Sequence, residues 1–239
     1  MFRPVLLSLI FAIFTLGVSA QPKAVENRFA AENALAEKVL AAHGGEKLRS
    51  MKSLVVRGSV DITASNFPQA IAGGFATIFE GSKYRFELQN PFQNLTQIYD
   101  GTNTSSTAPG GMSLPPVNRL GLPLLPFLGK EGFIVTAIPD EKKKKNGFRM
   151  TSPEGYFTDF YIDEKTNQIK GYDSTFVLDG RTVTTNVEID KTKLVEGILI
   201  PERYVQRFDL GQFTVYANFK AKEILVNSAL DAGIFAVKN

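Results

Sequence analysis

Between Leu54 and Ala221, outside one central stretch, apolar and polar residues alternate with a period of two, and turn residues break the pattern at short, even intervals. No other feature constrains the fold as strongly. Successive side chains of an extended strand point to opposite faces, so alternation gives each segment one oily side. Leu54, Val56, Val60 and Ile62 alternate with Val55, Arg57, Ser59 and Asp61. Phe75, Thr77 and Phe79 share one side of the next segment, and Tyr84, Phe86 and Leu88 share one side of its hairpin partner across Gly81-Ser82. "LTQIYDG", "FIVTAI", "GFRMTS", "YFTDFYID", "IKGYDSTFVL", "RTVTTNVEID", "GILIPERYVQRF" and "QFTVYANFKA" continue the series. About eleven strands separated by turn signals predict one antiparallel, highly curved sheet or barrel.

The stretch that breaks the rule is Ala108 to Gly132. Pro109, Pro115, Pro116, Pro123 and Pro126 remove the N–H donors that a sheet ladder needs. Yet "RLGLPLLPFLG", Arg119–Gly129, is among the oiliest parts of the chain. Such a segment has to lie on a sheet face without joining it. At the other end, Val25, Phe29, Ala36, Val39 and Leu40 recur at helical spacing within Ala24–Ala42, an amphipathic helix closed by His43-Gly44-Gly45. His43, the only histidine, reads as a solvated cap at the negative end of the helix dipole.

The first twenty residues, "MFRPVLLSLIFAIFTLGVSA", join one arginine, an apolar run and a small-residue Val18-Ser19-Ala20 ending, which is the pattern of a cleaved secretory signal. The apolar run falls short of the roughly twenty residues that span a bilayer. Residues 21–239 then form one exported domain, and the absence of cysteine leaves neither a disulfide nor a lipidation site after Ala20.

Chemistry is sparse. A Ser-His-Asp site, a thiol nucleophile and a zinc cluster all need residues that one histidine and no cysteine cannot supply. The glycine pairs at 73–74 and 110–111 lack the lysine or strand-to-helix setting of a phosphate cradle. Asp159 with Glu188 could pair only by accident of folding. The 27 basic against 24 acidic residues are dispersed, which argues against nucleic acid; the Glu141–Lys145 run reads as a solvated hairpin tip. The sequence therefore predicts a non-enzyme without cofactor or metal.

Two stretches carry a family resemblance. "LAEKVLAAHGGEKLRSMKSLVVRGSV" is similar to the opening of LolA/LolB-like outer-membrane lipoprotein-sorting proteins, where a helix and a Gly-Gly turn lead into the first strand. "FYIDEKTNQIKGYDSTFVLDGRTVTTNVEIDKTKLVEGILIPERYVQRF" resembles that family's turn, Asp-Gly hairpin and strand pair ending in "GILIP". The resemblance implies a mainly β fold with some α: an unclosed, strongly curved antiparallel barrel of about eleven strands, its concave face covered by an N-terminal helix and a lid.

Its implied function is that of a monomeric periplasmic carrier, which shields lipoprotein acyl chains or another lipid in a hydrophobic cavity between membrane-associated donor and acceptor proteins. The alternative on the same fold is a non-catalytic envelope interaction or regulatory module that takes no ligand. Leu120, Leu122, Leu124, Leu125, Phe127 and Leu128 would form the lid. The family ties its lid down with an arginine before a hairpin strand, and the matching turn here offers Lys83 or Arg85. Strand parity selects Val56, Val60, Phe75, Phe79, Tyr84, Phe86, Leu88, Phe160, Phe176, Phe213 and Phe219 for the interior, some of them around the cavity.

Overall fold

The alternating segments form a single sheet of twelve strands: β1 (Ser53–Ala64), β2 (Phe67–Glu80), β3 (Lys83–Gln89), β4 (Asn94–Tyr99), β5 (Thr104–Ser106), β6 (Ile134–Thr136), β7 (Gly147–Thr151), β8 (Phe157–Ile162), β9 (Ile169–Leu178), β10 (Arg181–Val195), β11 (Ile198–Asp209) and β12 (Thr214–Val226). This computed structural model describes residues 28–65, 67–108, 116–139, 146–178, 180–209 and 214–237. The first twenty residues, the Glu141–Lys145 run, Asp179 and Phe213 lie outside them.

Strand order is β5-β4-β3-β2-β1-β12-β11-β10-β9-β8-β7-β6, and the described ladders are antiparallel. Two meanders thus meet where β1 pairs with β12. The order overturns the expected strongly curved barrel of about eleven strands. The sheet is open and not strongly curled, with β5 and β6 as unjoined edges. The edges are unclosed as expected; what fails is the curl, because alternation specifies which face is oily and not how far the sheet bends. The extra strand, β5, reads Thr-Ser-Ser and has no apolar alternation to announce it.

Because β5 and β6 sit at opposite ends of the strand order, the chain between them has to cross the sheet. It does so through two 3-10 turns, η1 (Val117–Arg119) and η2 (Leu122–Phe127). Asn118 Nδ2 donates to the Ser82 carbonyl after β2 at 2.7 Å, and the Gly121 N–H donates to Thr158 Oγ1 on β8 at 3.1 Å. The described part of the proline-broken stretch, from Pro116 on, belongs to the crossing segment, where Pro123 and Pro126 are no handicap because the turn that holds them pairs with no strand.

Helix α1 (Ala30–Ala42) packs against β6 and β7 through Ala36, Val39 and Leu40. It ends as the glycines predict: the Gly45 N–H donates to Leu40 and the Gly44 N–H to Ala41, with positive φ at both glycines. A short α2 (Glu46–Arg49) leads from there to β1 and packs against η2. The main core lies on this covered face, where Phe75 meets Phe219 edge-on at 4.9 Å and Phe148 meets Phe160 at 5.2 Å. On the other face Val55, Ile78 and Ile98 are buried under Phe235 from the C-terminal segment. Val55 occupies a position that alternation alone assigns to water.

His43 is not the solvated cap that its sequence position suggests; it is 1% exposed. Its Nδ1 donates to the Val39 carbonyl at 2.9 Å, and the Ile169 N–H points at Nε2 from 3.5 Å. Both contacts suit the neutral ring. Burial is the main cause that pushes the imidazole below its usual value, partly offset by the Val39 bond. A base with a lowered folded value binds its proton more readily when unfolded, so the stability it contributes is present above the unfolded value of about 6.5 and is lost as pH falls through it. Thermal melts between pH 7.5 and 5.5 should show the wild-type midpoint falling, and His43→Gln should flatten that slope; an unchanged slope would contradict the assignment.

Candidate ligand cavity

A cavity of about 470 Å³ lies between the covered face and the crossing segment. Its size falls within the roughly 300–1,000 Å³ of small-molecule sites. One part of the floor is a cross-strand row, Val56–Thr77–Phe86, set by the β1–β2 and β2–β3 registers. Leu54 and Phe79 extend it, and Phe219, Ile198 and Ile200 come from the other meander. Leu48, Arg49 and Met51 form a wall, while Leu120, Leu122, Pro123, Pro126 and Phe127 form the roof.

The six oily residues of the crossing segment therefore divide. Leu120, Leu122 and Phe127 border the cavity, Leu122 at the edge of the core cluster, whereas Leu124, Leu125 and Leu128 lie within that cluster, which includes Ala36, Val39 and Leu40, and do not reach the cavity. Of the interior positions selected by parity, Val56, Phe79, Phe86 and Phe219 line the cavity. Val60, Phe75 and Phe160 are packed in the core, and Leu88 lies against it. Phe176 is buried elsewhere. Tyr84 is buried against Tyr99, accepts a bond from Gln97 Nε2 at 2.6 Å, and has its phenol pushed up to about 12, chiefly by burial.

Lys83 and Arg85 lie near the C-terminal segment. Lys83 sits over the Phe235 ring at 5.8 Å, and Arg85 donates to the Ile234 carbonyl at 3.1 Å while bonding Glu87 at 2.6 Å. The side chain that bonds the end of the crossing segment is Arg49: Nη1 donates to the Leu128 carbonyl at 2.7 Å, and Nη2 donates to both Glu37 carboxylate oxygens at 3.0 and 3.1 Å. The planar guanidinium fork lets one residue hold α1 and the crossing segment together. Arg119 adds a second fastening, an ion pair to Glu154 at 3.1 Å with the guanidinium over Phe127 at 4.9 Å.

A polar stripe interrupts the lining at Tyr172, Ser174, Thr185, Tyr204 and Gln206. Ser174 Oγ is 3.0 Å from Thr158 Oγ1, and Gln206 Nε2 donates to Thr185 Oγ1 at 3.4 Å. Parity places these residues on the same face as the apolar ones, but a search confined to oily side chains passes over them. Among the described residues no group of three or more His, Cys, Asp or Glu side chains is placed to hold a metal ion. Asp159 is fully buried and held in bidentate fashion by Arg149 at 2.6 and 2.9 Å, while Glu188 is exposed.

No family model and no curated protein matches the chain. Among solved structures, a LolA superfamily protein from Nitrosomonas europaea superposes with a TM-score of 0.54 at 10% identity, over 86% of this chain and 97% of that one. A DUF1329 family protein from Desulfovibrio piger gives 0.51 at 8% identity, over 85% and 96%. The chain shares the fold of these two proteins. At such identity the likeness is one of backbone architecture, and the lining described above belongs to this chain.

Proposed function

We propose that the protein is a periplasmic carrier or binding protein that shields the acyl chains of a lipoprotein, or another lipid, beneath the crossing segment. The observation that carries this reading is the cavity of about 470 Å³ with Leu54, Val56, Phe79, Phe86 and Phe219 in its floor and Leu120, Leu122 and Phe127 in its roof. Hydrocarbon entering it exchanges contact with water for contact with these side chains, a gain of about 0.8 kcal/mol per buried methylene.

In this reading the segment is a hinged lid. Leu124, Leu125, Leu128 and the Arg49 bond anchor it, while the three cavity-facing side chains swing aside and repack on the ligand. The leader at residues 1–20 brings the chain to the periplasm, where membrane-associated proteins donate and accept the cargo. The alternative is an envelope docking module with a permanent cover, and the full burial of Leu124 and Leu125 is the observation in its favour. Native mass spectrometry of protein purified from its own envelope should show bound lipid or lipoprotein, and the emptied protein should take up a fluorescent fatty acid. Clean apo protein that takes up none would refute the carrier and leave the docking module.

A further inference from the structure

The polar stripe raises a question that hydrocarbon shielding does not answer. Tyr172 and Tyr204 line the cavity, and neither hydroxyl has a hydrogen-bond partner among the described residues. Both rings are fixed. Tyr204 stacks on Phe219 at 4.8 Å with planes 16° apart, and Tyr172 lies 6.0 Å from Phe160. A Cβ on Gly121 would collide with the hydroxyl end of Tyr172, so only glycine lets the crossing segment pass this close. Burial drives both phenols upward, so they stay protonated donors.

Both tyrosines are half-buried, so in the empty cavity their hydroxyls meet water; a hydrocarbon chain that displaces this water leaves each donor without a partner, which is unfavourable by about 1–3 kcal/mol. Ser174 and Thr185, each 1% exposed, continue the polar row beside them, so the cavity has an oily part from β1–β3 and a hydrogen-bonding part from β9–β11. A plain hydrocarbon chain satisfies only the first part.

Resting on the carrier reading, we propose that the cavity is a site for an acyl ester, whose carbonyl oxygen accepts hydrogen bonds from the Tyr172 and Tyr204 hydroxyls while its chain lies along Val56, Thr77 and Phe86. The ester linkage sits inside the protein under Gly121. Selection then acts on the linkage as well as on chain length, because an alkane leaves both donors unsatisfied.

The test compares methyl hexadecanoate with hexadecane as competitors for a bound fluorescent hydrocarbon, diphenylhexatriene, on wild-type protein and on Tyr172→Phe, Tyr204→Phe and the double variant. The ester should bind more tightly than the alkane, and each lost hydroxyl should reduce that preference about 2- to 10-fold, the worth of one neutral hydrogen bond. The infrared carbonyl stretch of the bound ester should be red-shifted on wild-type protein and move back in the double variant. The variants should melt near the wild-type temperature when empty, since the hydroxyls they remove bond no protein group.

Equal affinity for ester and alkane, with an unshifted carbonyl, would overturn the ester site and leave the carrier reading standing. Binding of neither competitor nor the probe would overturn both. The wild-type comparison and its spectrum decide the matter even if a variant does not fold.

Discussion

Leu125→Ala is expected to lower the unfolding free energy by about 2–5 kcal/mol, whereas Leu122→Ala, in the same 3-10 turn, should lower it by clearly less. Leu125 is fully buried in the core cluster with Ala36, Val39 and Leu40, so its removal leaves a hole that its neighbours fill only in part. Leu122 belongs to the same cluster but already borders the cavity, so truncating it enlarges an existing void with fewer lost contacts. Against a total of about 5–15 kcal/mol for an ordinary domain, the first change is severe. Urea denaturation of both variants with unchanged slopes gives the comparison. Equal losses would show that the crossing segment has no separate anchor and roof.

Thr77→Trp should weaken uptake of a long-chain fatty acid on the order of 50-fold, taking about three displaced methylenes at roughly 0.8 kcal/mol each. Thr77 stands between Val56 and Phe86 in the cross-strand row, and all three line the cavity. An indole there grows into empty space, so the melting temperature should stay near that of wild type. Fluorescent fatty-acid titration checks the first expectation and a thermal melt the second. A stable variant that binds as well as wild type would place the hydrocarbon elsewhere on the protein.

Much of the fold was legible because strand parity and turn residues are local signals. The hairpins β1–β2, β2–β3 and β8–β9 follow alternations read directly from the residues, and the Gly44-Gly45 helix end follows from glycine's freedom at positive φ. β5 escaped notice because Thr104–Ser106 has no oily member, and its existence depends on pairing with β4. The strongly curved barrel was an over-reading of the same signals. Parity names a face but not the bend of the sheet.

The site was half legible. Parity sorted Phe75 and Phe86 onto one face, yet Phe75 is sealed against Phe219 while Phe86 borders the void. The difference lies in where a segment distant in sequence comes to rest. The Arg49 bond to Leu128 spans 79 residues and has no local signature. Tyr172 and Tyr204 were passed over because polar residues on an inward face look like exceptions until the space in front of them is seen.

By itself the sequence determined that the chain makes antiparallel hairpins with one oily face, that a helix precedes them, and that the proline-rich stretch cannot join the sheet, since each of these follows from the backbone preferences of a few neighbouring residues. The tertiary structure alone decided that this stretch crosses from one sheet edge to the other, that His43 is buried, and that a cavity with two unpartnered phenols remains beneath the crossing. Those outcomes depend on how separately formed faces fill space against one another, a property of the packed whole that no local pattern encodes.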